Sequence, residues 1–176
     1  MSKFTIMRKF GVIICLVSLY TLCVAQSGVR KLPVVNVKTL SGKTVSTGKL
    51  SNDGYPIIIS FWATWCKPCV RELNAIAEVY EDWTDETGVK LIAVSIDDSR
   101  NTAKVGPFVN GKGWDYEVVL DANRDFSRAM SVNTVPHTFL LNGKGEIVWQ
   151  HTAYADGDEE ELYELVKKVA EGKSID

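Results

Sequence analysis

Residues 57–69, IIISFWATWCKPC, decide the predicted fold of this chain. The first six form a nearly continuous apolar run, which is typical of a buried strand. Pro68 suits the first turn of a helix, because a backbone N–H at that position has no helical partner in any case. The stretch therefore predicts a strand that delivers Cys66 and Cys69 to the start of a helix.

The helix is predicted from the apolar residues that follow the second cysteine. They recur at spacings of three and four, as one buried face requires: Leu73, Ile76, Ala77, Tyr80 and Trp83. Cys66 then lies where the first free N–H groups point, and their partial positive charge favours a thiolate. Cys69 lies about one turn further along, within reach of a disulfide. We expect Cys66 to be an exposed attacking thiol and Cys69 a more shielded resolving thiol.

The same C-x-x-C spacing is compatible with half of a zinc site or with a structural disulfide. A zinc site needs more ligands, and the chain has only His137 and His151 to supply them. A secreted protein stabilised by disulfides usually has several. Cys15 and Cys23 lie in the segment that we predict below to be a cleaved signal peptide, so one pair remains. A single pair at a strand-to-helix junction favours chemistry, and we predict no metal ligand and no cofactor.

The whole stretch resembles the thioredoxin-like superfamily, which has W-C-x-x-C between a central strand and a helix. Residues 61–69, followed by Glu72, are similar to TlpA/ResA-type thiol–disulfide oxidoreductases of bacterial envelopes. The resemblance extends from roughly Leu32 to Gly172. It implies an α/β thioredoxin fold with a mixed central sheet flanked by helices, an N-terminal β-hairpin and a central insertion.

Length and charge limit the other possibilities. A chain of 176 residues with 45% apolar content fits one globular domain, and a net charge of −2 offers no basic patch for nucleic acid. Lys3, Arg8 and Lys9 precede an uncharged run over 10–25, which is the pattern of a secretory signal peptide. We predict a signal peptide over residues 1–25 and a thioredoxin-like domain over residues 26–176, exported to the bacterial periplasm or cell envelope.

Two alternatives for the N-terminal segment stay open. An uncleaved anchor would have to span the bilayer with 16 residues, where ~20 are needed. A lipoprotein needs a small residue before the acylated cysteine, but Ile14 precedes Cys15 and Leu22 precedes Cys23. With cleavage, the mature chain has no transmembrane segment.

Patterns along the rest of the chain predict the remaining elements. They are a hairpin over 32–37 and 43–46, a buried strand over 89–97, a short strand over 116–120, a hairpin over 134–141 and 146–151, and a last helix from 158 to a stop at 172. Asp97, Asp98 and Ser99 are candidate N-caps for a short helix near 101–110, and Asp121 for the next helix. The predicted order is β-β, β-α-β-α, β-α, β-β-α.

The resemblance also implies site residues. Val135 and Pro136 are expected to face the cysteines across a cis peptide bond, with Val135 offering its backbone to a client chain. Trp65 is expected to bind substrate with them. Glu72 lies three residues past Cys69, and the resemblance implies that it assists proton movement at the buried thiol; as a lone helical glutamate it could equally face solvent.

Two positions depart from the family pattern. Ser60 stands where many thioredoxins have a buried aspartate, and Asn74 stands where a kink proline is expected. We therefore expect proton transfer from Cys69 to use Glu72 or water, and the first helix to be straighter. His137 is expected to be a surface residue.

The predicted function is reduction of disulfides in client proteins, with apocytochrome c as one client class and a membrane thiol as electron donor. A net oxidant or isomerase would differ in reduction potential rather than in motif. A peroxiredoxin would place its cysteine in a different active-site loop. A copper-handling module would use Cys66, Cys69 and His137, although such modules usually have wider cysteine spacing. We expect a monomer.

Overall fold

The computed structural model describes residues 30–175, so the predicted signal peptide lies outside the described residues. Seven strands form one sheet: β1 Asn36–Thr39, β2 Thr44–Ser46, β3 Ile57–Trp62, β4 Lys90–Ser95, β5 Glu117–Leu120, β6 His137–Leu141 and β7 Ile147–Thr152. Their order across the sheet is β2-β1-β5-β4-β3-β6-β7. The β3–β4 and β4–β5 pairs are parallel and the others antiparallel, which is the predicted mixed sheet.

Within residues 30–175, four α-helices accompany the sheet: α1 Lys67–Thr87, α2 Thr102–Lys112, α3 Asp125–Ala129 and α4 Asp158–Ala170. The β1–β2 pair is the predicted N-terminal hairpin. The elements α2, β5 and α3 occupy the central insertion between β4 and β6. The predicted α/β architecture and element order are therefore confirmed.

The central position of β3 explains its apolar sequence. It is paired along both edges, in parallel with β4 and antiparallel with β6. Every residue from Ile57 to Trp62 is buried. Strands buried on both faces are typically continuous apolar runs rather than alternating ones. Ser60 is the exception within this run, and its hydroxyl contacts a charged side chain of the site described below.

Helix α1 is continuous from its first turn to a glycine stop. Gly88 ends it in the left-handed conformation at φ 67°, with its N–H bonded to the carbonyl of Thr84. Residues with a Cβ rarely adopt this conformation, so the glycine is required here. The helix passes unbroken through Asn74, whose side-chain oxygen accepts the indole N–H of Trp114 at 3.1 Å. Asn74 thereby ties α1 to the central insertion.

The predicted caps of α2 are wrong. The N-cap residue of α3 is Arg124 rather than the predicted Asp121, although Asp121 does accept free donors at the start of that helix. Helix α2 starts at Thr102 and its N-cap position, Asn101, makes no side-chain cap bond. Asp97 points inward instead and is fully buried. The carboxylate of Asp121, in contrast, accepts the backbone N–H groups of Phe126 and Ser127 at 3.0 and 2.7 Å. These bonds satisfy free donors at the start of α3.

Candidate active site at the start of helix α1

The two cysteines lie at the C-terminal end of β3, where the chain turns into α1. Cys66 and Cys69 form a disulfide, with their Cα atoms 5.3 Å apart. Cys66 is the N-cap residue of α1, and its Sγ accepts the backbone N–H of Cys69 at 3.3 Å. A hydrogen bond of 3.0 Å from the N–H of Cys66 to the carbonyl of Ala63 closes the preceding turn. The sulfur of Cys66 is therefore directed at the N-terminus of the helix.

The exposure of the two cysteines differs less than the sequence suggested. Cys66 is only 5% exposed and Cys69 is fully buried, so the expectation of an exposed Cys66 is wrong for the disulfide form. The reason is that the Ala63–Cys66 turn directs the sulfur of Cys66 towards the helix start. Trp65 beside it is 64% exposed. Cys66 remains the more accessible of the two sulfur-bearing residues.

Glu72 is buried next to the cysteine motif. It is 5% exposed and accepts a 2.6 Å hydrogen bond from the hydroxyl of Thr138. The hydroxyl of Ser60 lies 3.5 Å from its other oxygen and 3.2 Å from the hydroxyl of Thr138. The alternative of a solvent-facing glutamate is therefore wrong.

Burial controls the acidity of Glu72. Desolvation raises its pKa from the usual value near 4.5 to about 7, and the hydrogen bonds from Thr138 and Ser60 only partly oppose this effect. The negative charges of Asp158 and Glu159 raise the pKa further. Since Glu72 lies three residues after Cys69, the two side chains share one face of α1. The arrangement brings an acid that titrates near neutral pH to the side of the buried cysteine.

Sequence reasoning did not identify Thr138 and missed how Ser60 is used. Both are polar residues inside otherwise apolar strands, and both are at most 2% exposed. Ser60 and Thr138 are direct partners in the antiparallel β3–β6 pair, so their side chains lie on the same face. A buried hydroxyl in an apolar strand needs a hydrogen-bond partner, and this signal was present in the sequence.

The residues before β6 lie at the same end of the sheet as the cysteines, because His137 pairs with Phe61 near the end of β3. The Val135–Pro136 peptide bond is cis. The carbonyl of Pro136 accepts the N–H of Ala153 at 3.1 Å. Within residues 30–175, no backbone hydrogen bond involves Val135, which is only half-buried. Its peptide groups are therefore available to another chain.

His137 does not lie at the surface, so that expectation is wrong. It is 7% exposed and stacks on Phe139, with the ring centroids 4.3 Å apart. Burial lowers the pKa of its imidazole. It points to the sheet face opposite Thr138, because neighbouring residues of a strand alternate in direction. The proline before it suggested a loop, whereas His137 is the first residue of an internal strand.

Comparison with known proteins places this geometry in a family. The sequence matches the family described as AhpC/TSA over residues 29–150. The chain belongs to the AhpC/TSA family. Among its relatives, the thiol–disulfide oxidoreductase ResA of Halalkalibacterium halodurans is 31% identical over 147 residues, which is 83% of this chain and 80% of that protein. ResA of Bacillus subtilis is 33% identical over 108 residues, or 61% of this chain and 58% of its own length.

Solved structures of related proteins agree with the fold. A thioredoxin-like protein from Porphyromonas gingivalis is 56% identical to this chain, with a TM-score of 0.72 over 80% of this chain and 92% of that one. StoA of Bacillus subtilis is 28% identical, with a TM-score of 0.60 over 76% of this chain and 97% of that one. The thioredoxin-like fold is thereby supported.

Proposed function

We propose that this protein is an exported thiol–disulfide oxidoreductase that reduces disulfides of client proteins through Cys66 and Cys69. One observation carries the proposal: the two cysteines form a disulfide at the start of α1, with the sulfur of Cys66 at the helix N-terminus. Its relatives named ResA and sporulation thiol–disulfide oxidoreductase A support the same chemistry. The chain spans only 58% and 66% of the length of the two Bacillus subtilis relatives, so its client and its electron donor are part of the proposal.

Cys66 makes the first attack. In the reduced protein its thiolate is stabilised by the N–H groups and the dipole at the start of α1. The thiolate attacks one sulfur of the client disulfide, the client S–S bond breaks, and the departing client sulfur takes up a proton. The product is a mixed disulfide between Cys66 and the client.

Cys69 completes the reduction. Its thiol loses a proton and attacks the sulfur of Cys66, which releases the second client thiol and leaves a Cys66–Cys69 disulfide. Two electrons have then passed from the protein to the client. Glu72 is the base we assign to this step, because a general base works best when its pKa is close to the working pH. The pKa of about 7 that burial gives this carboxyl meets that condition.

The client chain is proposed to lie between Trp65 and Val135. Trp65 offers an exposed aromatic surface directly before Cys66. The peptide groups of Val135, which lack a backbone partner among residues 30–175, could pair with an extended client strand. Pro136 is buried and fixes the approach to β6. An unfolded client such as an apocytochrome c would present a disulfide in this way.

The oxidised protein must be reduced again, and a thiol donor in the membrane is proposed for this step. None of the helices between residues 30 and 175 is long and apolar enough to span a bilayer. A signal peptide over residues 1–25, export to the envelope, and action as a monomer complete the proposal. In residues 30–175, no group of three or more His, Cys, Asp or Glu side chains is arranged to hold a metal ion.

Two cysteine variants test the assigned roles. Cys69→Ser should attack a disulfide-containing protein and stall as a covalent complex, because no resolving thiol remains. Cys66→Ser, the matched control, should form few such complexes. Non-reducing electrophoresis and mass spectrometry of each variant after incubation with the client would measure the adducts. Accumulation in Cys66→Ser instead would reverse the roles of the two cysteines.

The reduction potential of the Cys66–Cys69 couple tests whether the protein reduces or oxidises its clients. Equilibration against a glutathione series should give a potential nearer to thioredoxin, at about −270 mV, than to DsbA, at about −120 mV. A value near the oxidising end would replace the reductase assignment with a net oxidant or isomerase. The assigned fold would be unaffected.

A further inference from the structure

A second buried acid lies beside the active-site turn and has no part in the steps above. Asp97 is two residues beyond Ser95, the last residue of β4, and it is fully buried. The parallel pairing of β3 with β4 places Asp97 beside the active-site turn that follows β3. Trp62 is the partner of Ser95, and the N–H of Ile96 bonds to the carbonyl of Trp62 at 2.8 Å.

Three donors converge on the carboxylate of Asp97. The backbone N–H of Thr64 donates to it at 2.9 Å and the hydroxyl of Thr64 at 2.6 Å. The hydroxyl of Ser95 donates to it at 2.9 Å. Two of the three bonds therefore hold one residue of the turn that leads to Cys66. Among residues 30–175, no cation lies within ion-pair distance of Asp97.

The charge of Asp97 is close to the attacking sulfur. Thr64 precedes Cys66 by two residues inside a turn closed by the Cys66–Ala63 hydrogen bond. Because the N–H of Thr64 lies 2.9 Å from the carboxylate and the closed turn keeps Cys66 near Thr64, the carboxylate and the sulfur of Cys66 are on the order of 10 Å apart. The other charged groups nearby are the exposed Lys67, the buried Glu72, and Asp98, which is paired with Arg100 at 2.8 Å.

We propose that Asp97 is a positioning residue that clamps the active-site turn and whose charge makes the Cys66–Cys69 couple more strongly reducing. A nearby negative charge disfavours the thiolate of Cys66, so it raises the pKa of that thiol. In the exchange with glutathione, the protein disulfide and two glutathione thiols yield the protein dithiol and glutathione disulfide. A less stable thiolate shifts this equilibrium towards the protein disulfide. The inference rests on exchange chemistry at these cysteines and is independent of the absolute potential.

Two variants separate the charge of Asp97 from its role as a clamp. In Asp97→Asn the amide oxygen can still accept the N–H of Thr64, and the amide nitrogen can donate to the Thr64 hydroxyl, which also accepts. The geometry is retained while the charge is lost. Thr64→Val removes the hydroxyl donor and keeps the charge, because the backbone N–H of residue 64 and the hydroxyl of Ser95 still donate to the carboxylate. The charge is then less neutralised by donors.

The expected shifts have opposite signs. Asp97→Asn should lower the pKa of Cys66 by about one unit, and shift the glutathione equilibrium severalfold towards the dithiol. Thr64→Val should raise the pKa of Cys66. A clamp without an electrostatic role predicts no shift in the pKa of Cys66 for Asp97→Asn, because this variant retains the geometry of the turn.

The pKa is measured in the full chain from the pH dependence of iodoacetamide alkylation in a Cys69→Ser background. Peptide mass spectrometry would assign the modification to Cys66, and circular dichroism would confirm that each variant is folded. A pKa that rises or stays unchanged in Asp97→Asn overturns the proposal. If Asp97→Asn does not fold, Thr64→Val decides alone, and a pKa of Cys66 that falls or is unchanged overturns it. If the parent chain does not reduce client disulfides while these shifts are observed, the proposed function is refuted and the inference about Asp97 stands.

Discussion

Glu72 and Asp97 are both buried acids beside the cysteine motif, but their hydrogen bonds differ. Glu72 accepts one short bond from Thr138 and a marginal one of 3.5 Å from Ser60. Asp97 accepts three bonds of 2.6–2.9 Å, of which two come from Thr64. Each unsatisfied oxygen of a buried carboxylate is costly, so a buried acid with few donors is readily protonated.

The number of hydrogen-bond donors determines which role each buried acid can take. Glu72 lacks the donors that would hold it ionised, and burial raises its pKa to about 7, where it can accept and return a proton. Asp97 is surrounded by donors that fix the turn at Thr64. Burial alone does not distinguish the two acids, because both are at most 5% exposed. The donors do.

The largest expected effect is on stability at pH 7. Asp97→Ala leaves three donors without their acceptor, and we expect it to lower the free energy of unfolding by about 4 kcal/mol. Glu72→Ala should lower it by only about 1 kcal/mol, because the hydroxyl of Thr138 can donate to Ser60, 3.2 Å away. Urea unfolding of both variants and the parent measures the difference. Equal losses would remove the distinction between the two acids.

The second effect is a pH dependence that belongs to Glu72. Its pKa is higher in the folded protein than the usual value of 4.5, so the folded state binds this proton more tightly than the unfolded chain. Its contribution to stability is therefore complete below pH 4.5, decreases as the pH rises to about 7, and is absent above that. The total change is on the order of 3 kcal/mol.

Glu72→Gln is the matched control, because the amide oxygen can still accept from Thr138 but does not titrate. The difference in unfolding free energy between the parent and this variant, measured by urea unfolding from pH 4 to pH 8, should decrease with rising pH. A difference that is constant over this range would show that Glu72 has an ordinary pKa.

The smallest effect concerns the donors of Glu72. Thr138→Val removes the 2.6 Å bond and should raise the pKa of Glu72 by about one unit, whereas Ser60→Ala removes only the 3.5 Å contact and should change it by about 0.3 unit. Carbon-13 NMR titration of the Glu72 carboxyl measures both values. The reverse order would mean that Ser60 is the main donor.

The local pattern was sufficient for the elements around the cysteines. The apolar run predicted β3 and Pro68 marked the first turn of α1, as the structure shows, and α1 ends at a glycine, Gly88. These features depend on neighbours in sequence: a strand buried on both faces needs apolar residues, and a left-handed helix stop needs a glycine. The candidate residues Cys66 and Cys69 followed from the same local reasoning.

The sequence could not separate Asp97 from Asp98 as helix caps, because both precede α2 and have the same side chain. The parallel register of β3 and β4 decides the matter, since it places Asp97 beside Thr64, about 30 residues away in sequence. His137 was misassigned for a similar reason. Its burial follows from its place at the start of an internal strand and its stacking on Phe139.

By itself, the sequence determined the position of the redox pair, the order of the elements and the α/β class, because these follow from periodicity, turn residues and the C-x-x-C motif. Only the tertiary structure decided which polar side chains are buried together. Ser60, Glu72 and Thr138 come from three different elements, and they meet because β3 pairs with β6 beneath α1. The acidity of Glu72 depends on desolvation by residues distant in sequence, and no local pattern encodes that.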